Sequence, residues 1–177
     1  MRVLLRPPVE SDRDEFIRAM AASQDLHEPW ISDVATDEYF DRLLARVGHD
    51  RYDTNLVRLV EGGDLVGVFN ITEIVRGAFQ SAFLSYAAAA AQAGQGLMSE
   101  GLQLVLRRAF EELLLHRLEA NIQPGNVRSI ALVRRAGFEC EGSSRRYLKL
   151  GGEWRDHQHW VMLAEDWAAR SGWRSTF

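Results

Sequence analysis

The chain has 177 residues, 46% of them apolar, and a net charge of -4 from 21 basic and 25 acidic side chains. That length and apolar content suit one domain spanning residues 1–177 with a sizeable core. The acidic balance argues against direct contact with nucleic acid, which needs Lys and Arg clustered on one face.

The densest basic groups are the pairs Arg107-Arg108, Arg134-Arg135 and Arg145-Arg146. The opening run is too short for a secretory signal, and no stretch nears the roughly 18 apolar residues of a membrane span, so a cytoplasmic protein without membrane contact is expected. Cys140 is the lone cysteine and reads as a small apolar residue in a packed strand rather than a catalytic thiol.

In chain order, Val3 to Arg6 reads as a strand ended by Pro7-Pro8, and Ser11-Asp12 as an N-cap before a helix carrying Phe16, Ile17 and Met20. Pro29 interrupts helix from Leu26 to Ser32. Thr36 then caps a second helix turning Tyr39, Phe40, Leu43, Leu44 and Val47 to the core, with Gly48 as its stop. Asn55 to Val60 and Leu65 to Ile71 form a hairpin around Glu61-Gly62-Gly63-Asp64, and Phe79 to Ala88 a third strand. A glycine loop, Ala93 to Gly96, opens a long helix whose apolar face runs from Leu97 to Leu114. His116 to Ile122 is a strand, Asn126 or Gly125 starts a helix closed by Gly137, and a last hairpin runs from Phe138 through Gly151-Gly152 to Leu163, with the pattern ending at Asp166-Trp167. The order predicts an α/β (α+β) fold with helices on a mostly antiparallel sheet.

Glycines before a helix N-terminus form an anion cradle from backbone N–H groups. At Gly94 to Ser99 a nucleoside-triphosphate loop is excluded because no Lys-Ser or Lys-Thr follows. A dinucleotide fingerprint sits poorly behind an antiparallel meander. A simple tight turn stays open on the loop alone.

Taken together, Ala87-Ala88, Ala93-Gly94-Gln95-Gly96-Leu97-Met98-Ser99-Glu100 and the Asn126-to-Ser129 helix ending in Gly137-Phe138 resemble the two hallmarks of the GNAT acetyltransferases. Leu118-Glu119-Ala120-Asn121, Pro124, Asn126, Ser129 and Gly152 to Asp156 are similar to the group within it that acetylates N-termini of ribosomal proteins, the RimJ/RimL type. The resemblance implies the GNAT fold, a mixed twisted sheet with helices on both faces, parted near Tyr86 to Ala88. It implies acetyl-CoA as cosubstrate with no metal. Backbone groups of Tyr86, Ala87 and Ala88 would hold the pantetheine arm, and one of those N–H groups the oxyanion. Residues Gly94, Gln95, Gly96, Leu97, Met98 and Ser99 would hold the pyrophosphate, and Asn126 and Ser129 the rest of the arm.

Two departures from that pattern stand out: Ala93 replaces a longer polar side chain near the phosphates, and Val133 stands where many relatives carry a proton-donating tyrosine. Ser129 is therefore the candidate acid, and Glu119 or bound water the candidate base, because relatives with a strand carboxylate carry it where this chain has Asn121. Glu28 and Glu73 are further candidates for that role. An α-amine is neutral about a tenth of the time at pH 7 and a lysine about once in 2,500, so a weakly equipped site suits the α-amine. The expected acceptor is a protein N-terminus, with a small amine or antibiotic, or a non-catalytic acetyl-CoA-binding regulator, as alternatives. A homodimer rests on family analogy alone. His157 and His159 share a strand face but lack an obvious third metal ligand. His27, Trp30, Phe69, Phe79 and Trp160 are candidates for the acceptor pocket, each with a packing role as the plainer alternative.

Overall fold

The computed structural model describes residues 1–173. Seven strands form one sheet: β1 (Val3–Arg6), β2 (Tyr52–Leu59), β3 (Leu65–Val75), β4 (Ser81–Ala88), β5 (Arg117–Ile122), β6 (Glu139–Leu150) and β7 (Glu153–Leu163), in the spatial order β1-β2-β3-β4-β5-β7-β6. Neighbours are antiparallel except β4 and β5, which run parallel. The helices are α1 (Arg13–Ala21), α2 (Gln24–His27), α3 (Asp37–Arg46), α4 (Leu97–Arg107), α5 (Val127–Ala136) and α6 (Ala164–Ser171).

Alternation along the strands explains two apolar layers. Leu56, Val68 and Ala87 pack under Phe16, Met20, Phe40 and Leu43 of α1 and α3. Val57, Phe69, Leu84 and Leu118 pack on the other face under Leu102, Leu106, Val133 and Trp167 of α4, α5 and α6. β3 is buried on both faces, which is why Leu65 to Ile71 reads as a nearly unbroken apolar run. Thr36 caps α3 by accepting the Tyr39 N–H at 3.1 Å, a bond whose loss typically costs about 1 kcal/mol. Gly151 and Gly152, at φ of 56° and 82°, supply the turn of the β6–β7 hairpin, where both central residues need positive φ.

Several sequence expectations are corrected. Asp12 does not cap α1 with its side chain; its buried carboxylate accepts from Arg6, Arg58 and the Val9 N–H, tying β1 and β2 to the helix entry. Val47 lies past the end of α3 and is 43% exposed. The helix opened by the glycine loop ends at Arg107, and a wider turn over Arg108–Glu112 carries the chain away, leaving Leu114 exposed with φ of 52°. Phe79 precedes β4 and is exposed. Cys140 is exposed too, because β6 is the edge strand and its residues from Glu139 to Ser143 are all exposed among the described residues. α6 follows β7 directly and buries Ala164 and Trp167, where no helix was expected. Among the described residues, no helix is long and apolar enough to cross a membrane.

Candidate active site

The parallel ladder between β4 and β5 is short. Ser81, Ala82 and Phe83 pair with Arg117, Leu118 and Glu119, and there the ladder stops. β4 nevertheless continues along β3 to the pair Ala88–Gly67, so the two central strands part beyond Phe83. The Ala89 N–H donates to Val66 O at 2.8 Å. In an antiparallel ladder that bond fixes the phase: Ala87 and Ser85 turn their backbone groups toward β3, and Tyr86 and Ala88 turn theirs toward the gap. The Ala88 carbonyl is taken by His27 Nε2 at 2.9 Å. A carbonyl only accepts, so Nε2 carries the proton, and burial of His27 keeps its pKa below the ordinary value and the ring neutral. That leaves the N–H groups of Tyr86 and Ala88 and the Tyr86 carbonyl directed into the gap.

At the mouth of the gap, Gly94 and Gly96 adopt φ of 77° and 79°, and Gly96 is the N-cap of α4. Leu97 and Met98, the first two residues of the helix, have no intrahelical acceptor for their N–H groups, while Gly96 O accepts from Ser99 N–H at 3.0 Å and Glu100 N–H at 3.1 Å. The Ser99 amide is thus committed to the first turn, and its hydroxyl is what it has left for a ligand. Arg2, which the motifs did not point to, reaches this loop. Its guanidinium donates to Gln95 O at 2.8 Å and pairs with Glu100 at 2.6 Å.

Across the gap, Asn126 caps α5 through Oδ1, which accepts the Ser129 N–H at 3.1 Å and leaves the side-chain amide nitrogen for another acceptor. The Tyr86 hydroxyl is hydrogen-bonded to Ser129 Oγ, and its ring packs on Phe69 with centroids 5.3 Å apart. Burial pushes the phenol up to about 12. Val133 is fully buried in the core.

On the other sheet face, Glu119 Oε2 accepts from Arg117 at 2.8 Å and Oε1 lies 3.2 Å from His159 Nδ1. Asn121 Oδ1 lies 2.6 Å from the same nitrogen. Both are acceptors, so Nδ1 bears the hydrogen, and Nε2 is hydrogen-bonded to the Ser144 hydroxyl at 2.8 Å. Arg117 also holds Glu141 of β6 at 2.8 Å. Of the other acid candidates, Glu28 accepts from Gln24 at 2.6 Å, and Glu73 is occupied by Arg51 and the Tyr52 hydroxyl on the β2 side of β3. Among the described residues, no group of three or more His, Cys, Asp or Glu side chains is placed to hold a metal ion. Phe69 and Trp160 are core residues, and Trp30 is half-buried over Gly125, where an added Cβ would come within 2.9 Å of its ring.

Residues 2–139 match the acetyltransferase (GNAT) domain family. The chain is a GNAT acetyltransferase. It is 32% identical over 173 residues to "Probable N-acetyltransferase YjcK" of Bacillus subtilis, covering 93% of this chain and 95% of that one. It is 38% identical over 104 residues to the [ribosomal protein uS5]-alanine N-acetyltransferase of Escherichia coli, which covers 59% of this chain and 54% of the relative. Mycobacterium smegmatis RimJ, solved in complex with CoA-disulfide, superposes with a TM-score of 0.81 at 29% identity over 96% of this chain and 89% of its own. A spermidine N-acetyltransferase of Vibrio cholerae, at 18% identity over 94% of this chain and 98% of its own, shares the fold with a TM-score of 0.78.

The acetyltransferase uses acetyl-CoA, and its residues fit that cosubstrate. The Tyr86 and Ala88 backbone groups of β4 face the gap, and a left-handed glycine at a helix N-terminus suits a pyrophosphate. At Gly94 an added Cβ would meet nothing within 4 Å, so the loop surface is open to a ligand. At Gly67 the reverse holds: a Cβ would fall 2.5 Å from Ala87 O and 2.8 Å from Met98 Sδ, so glycine lets the end of β4 and the start of α4 close on each other. Three contacts at the site were not foreseen from the sequence, namely those of Arg2 with Glu100, of the Tyr86 side chain with Ser129, and of His159, weighed there only as a metal ligand, with Asn121. Each spans 38 to 98 positions, a distance no local pattern carries.

Proposed function

We propose that this acetyltransferase acetylates the N-terminal α-amine of a protein, with ribosomal proteins as the acceptor class that its relatives' names suggest. Acetyl-CoA supplies the activated acetyl group as a thioester. In the proposed reaction the amine, held in the gap between β4 and β5, attacks the thioester carbonyl directly. The Ala88 N–H, with that of Tyr86, stabilises the oxyanion. Ser129 donates to the sulfur as it leaves. Loops from Gly94 to Ser99 and the Asn126 amide position the phosphates and the pantetheine arm.

The observation that carries the choice of an α-amine is the engagement of Glu119. Both its oxygens are occupied by Arg117 and His159, which commits the carboxylate to pairing and limits it as a base. An α-amine, already about a tenth neutral at pH 7, can lose its proton to bound water or to Glu119 without a strong base, whereas a lysine needs one.

The test is CoA release with a panel of acceptors: peptides beginning Ala, Ser or Met, the same peptides with blocked N-termini, and small amines. Release with free N-termini and silence with blocked ones is expected. Release with small amines alone would move the acceptor to that class, and silence throughout despite acetyl-CoA binding would make the protein a regulator.

A further inference from the structure

A serine hydroxyl is a far weaker acid than a thiol, whose pKa is about 8.5, so Ser129 cannot usefully surrender a proton to the departing sulfur. It can serve as a hydrogen-bond donor while negative charge gathers there, and only if its hydrogen points into the gap. A serine in the first turn of a helix has a competing choice, which is to donate to a carbonyl three or four residues back, here at or before the N-cap. Something has to settle the direction of that hydrogen.

We infer that Tyr86 is a positioning residue for the reaction: its hydroxyl donates to Ser129 Oγ and thereby turns the serine's own hydrogen toward the thioester sulfur. The inference rests on the reading of Ser129 as the donor to the leaving group. Three geometric observations support it. The two hydroxyl oxygens are in contact, and the other acceptor near the phenol, Ser129 O, is 3.4 Å away, so Oγ is the better acceptor. The serine's position is fixed from its other side, because its N–H is held by Asn126 Oδ1. The phenol is placed by packing rather than by a flexible stem, with its ring on Phe69 and its strand bordering the gap. Burial keeps the phenol protonated at neutral pH, so it is present as a donor. Tyr86 keeps its proton throughout. The new N–C bond forms, the C–S bond breaks, the amine's proton goes to water or Glu119, and the thiolate held by Ser129 is protonated from solvent on release.

The experiment compares Tyr86→Phe, Ser129→Ala and the double variant in single-turnover CoA release at saturating acetyl-CoA. A Ser- or Ala-initiated peptide is the acceptor, with a small primary amine alongside, and thermal melts confirm folding. The expected result is a rate about tenfold lower for Tyr86→Phe, the loss of one well-aligned hydrogen bond at the transition state. Acetyl-CoA affinity should stay within about twofold, and the double variant should be no slower than Ser129→Ala, since residues acting as a unit are not additive. A wild-type rate for Tyr86→Phe, a loss confined to acetyl-CoA affinity, or losses that multiply in the double variant would overturn the role of Tyr86 while leaving Ser129 in place. A wild-type rate for Ser129→Ala would remove the donor reading itself, and the inference with it.

Discussion

Glu100 stands in the first turn of α4, where its carboxylate shares the helix N-terminus with the expected pyrophosphate. Alone, it would repel that anion. Arg2 answers it twice, through the backbone N–H at 2.7 Å and the guanidinium at 2.6 Å, and holds Glu100 below the usual carboxylate range. Arg2→Ala should therefore raise the KM for acetyl-CoA by about fivefold with kcat nearly unchanged, since loss of an anion's charge partner weakens binding more than chemistry. Adding Glu100→Gln should restore most of the loss, and steady-state kinetics with and without added salt would check both. Residues whose job is local were legible in the sequence. Asn126 caps the helix it was expected to start, and Gly137 closes it at φ of 103°. Arg2 was not legible, because nothing in the sequence near Arg2 announces a partner at Glu100.

The same division holds for whole elements. The β6–β7 turn at Gly151-Gly152 and the Thr36 cap of α3 followed from turn residues and periodicity, whereas the cap expected at Asp12 did not form because Arg6 and Arg58 hold its carboxylate. The parting of β4 from β5 was expected only through family resemblance, since no strand's own sequence says where its neighbour leaves it. The end of α4 was misjudged because Phe110, Leu113 and Leu114 continue the apolar spacing into a turn that is no longer α-helical. At Gly67, β3 lies against both the end of β4 and the start of α4, with no room for a Cβ. Gly67→Ala puts a methyl against Ala87 O, and β3, buried on both faces, has little room to yield. The substitution should cost about 1–3 kcal/mol, the usual penalty for overpacking, read as a lower midpoint in denaturant, and should raise the KM for acetyl-CoA by displacing the strand end that lines the gap. A midpoint and KM equal to those of the parent would show that the contact relaxes freely.

For the molecule as a whole, two histidines link stability to pH. Burial is the main cause that places the pKa of His27 and His157 below the ordinary value of about 6.5. A folded state with depressed values binds fewer protons than the unfolded chain, so their contribution is fully present above about pH 6.5 and is lost as pH falls through the folded-state values. The melting temperature should hold from pH 8 to 7 and decline below about 6.5, before most carboxylates titrate. His157→Gln should flatten that decline, and a decline unchanged in the variant would assign it to other groups. The central claim concerns where the acetyl group goes. Its most direct measurement offers one peptide carrying both a free N-terminal alanine and an internal lysine, with the acetylated atom located by fragment masses. Acetylation at the α-amine with matching release of CoA is the predicted result; acetylation of the lysine, or no release of CoA, would contradict it.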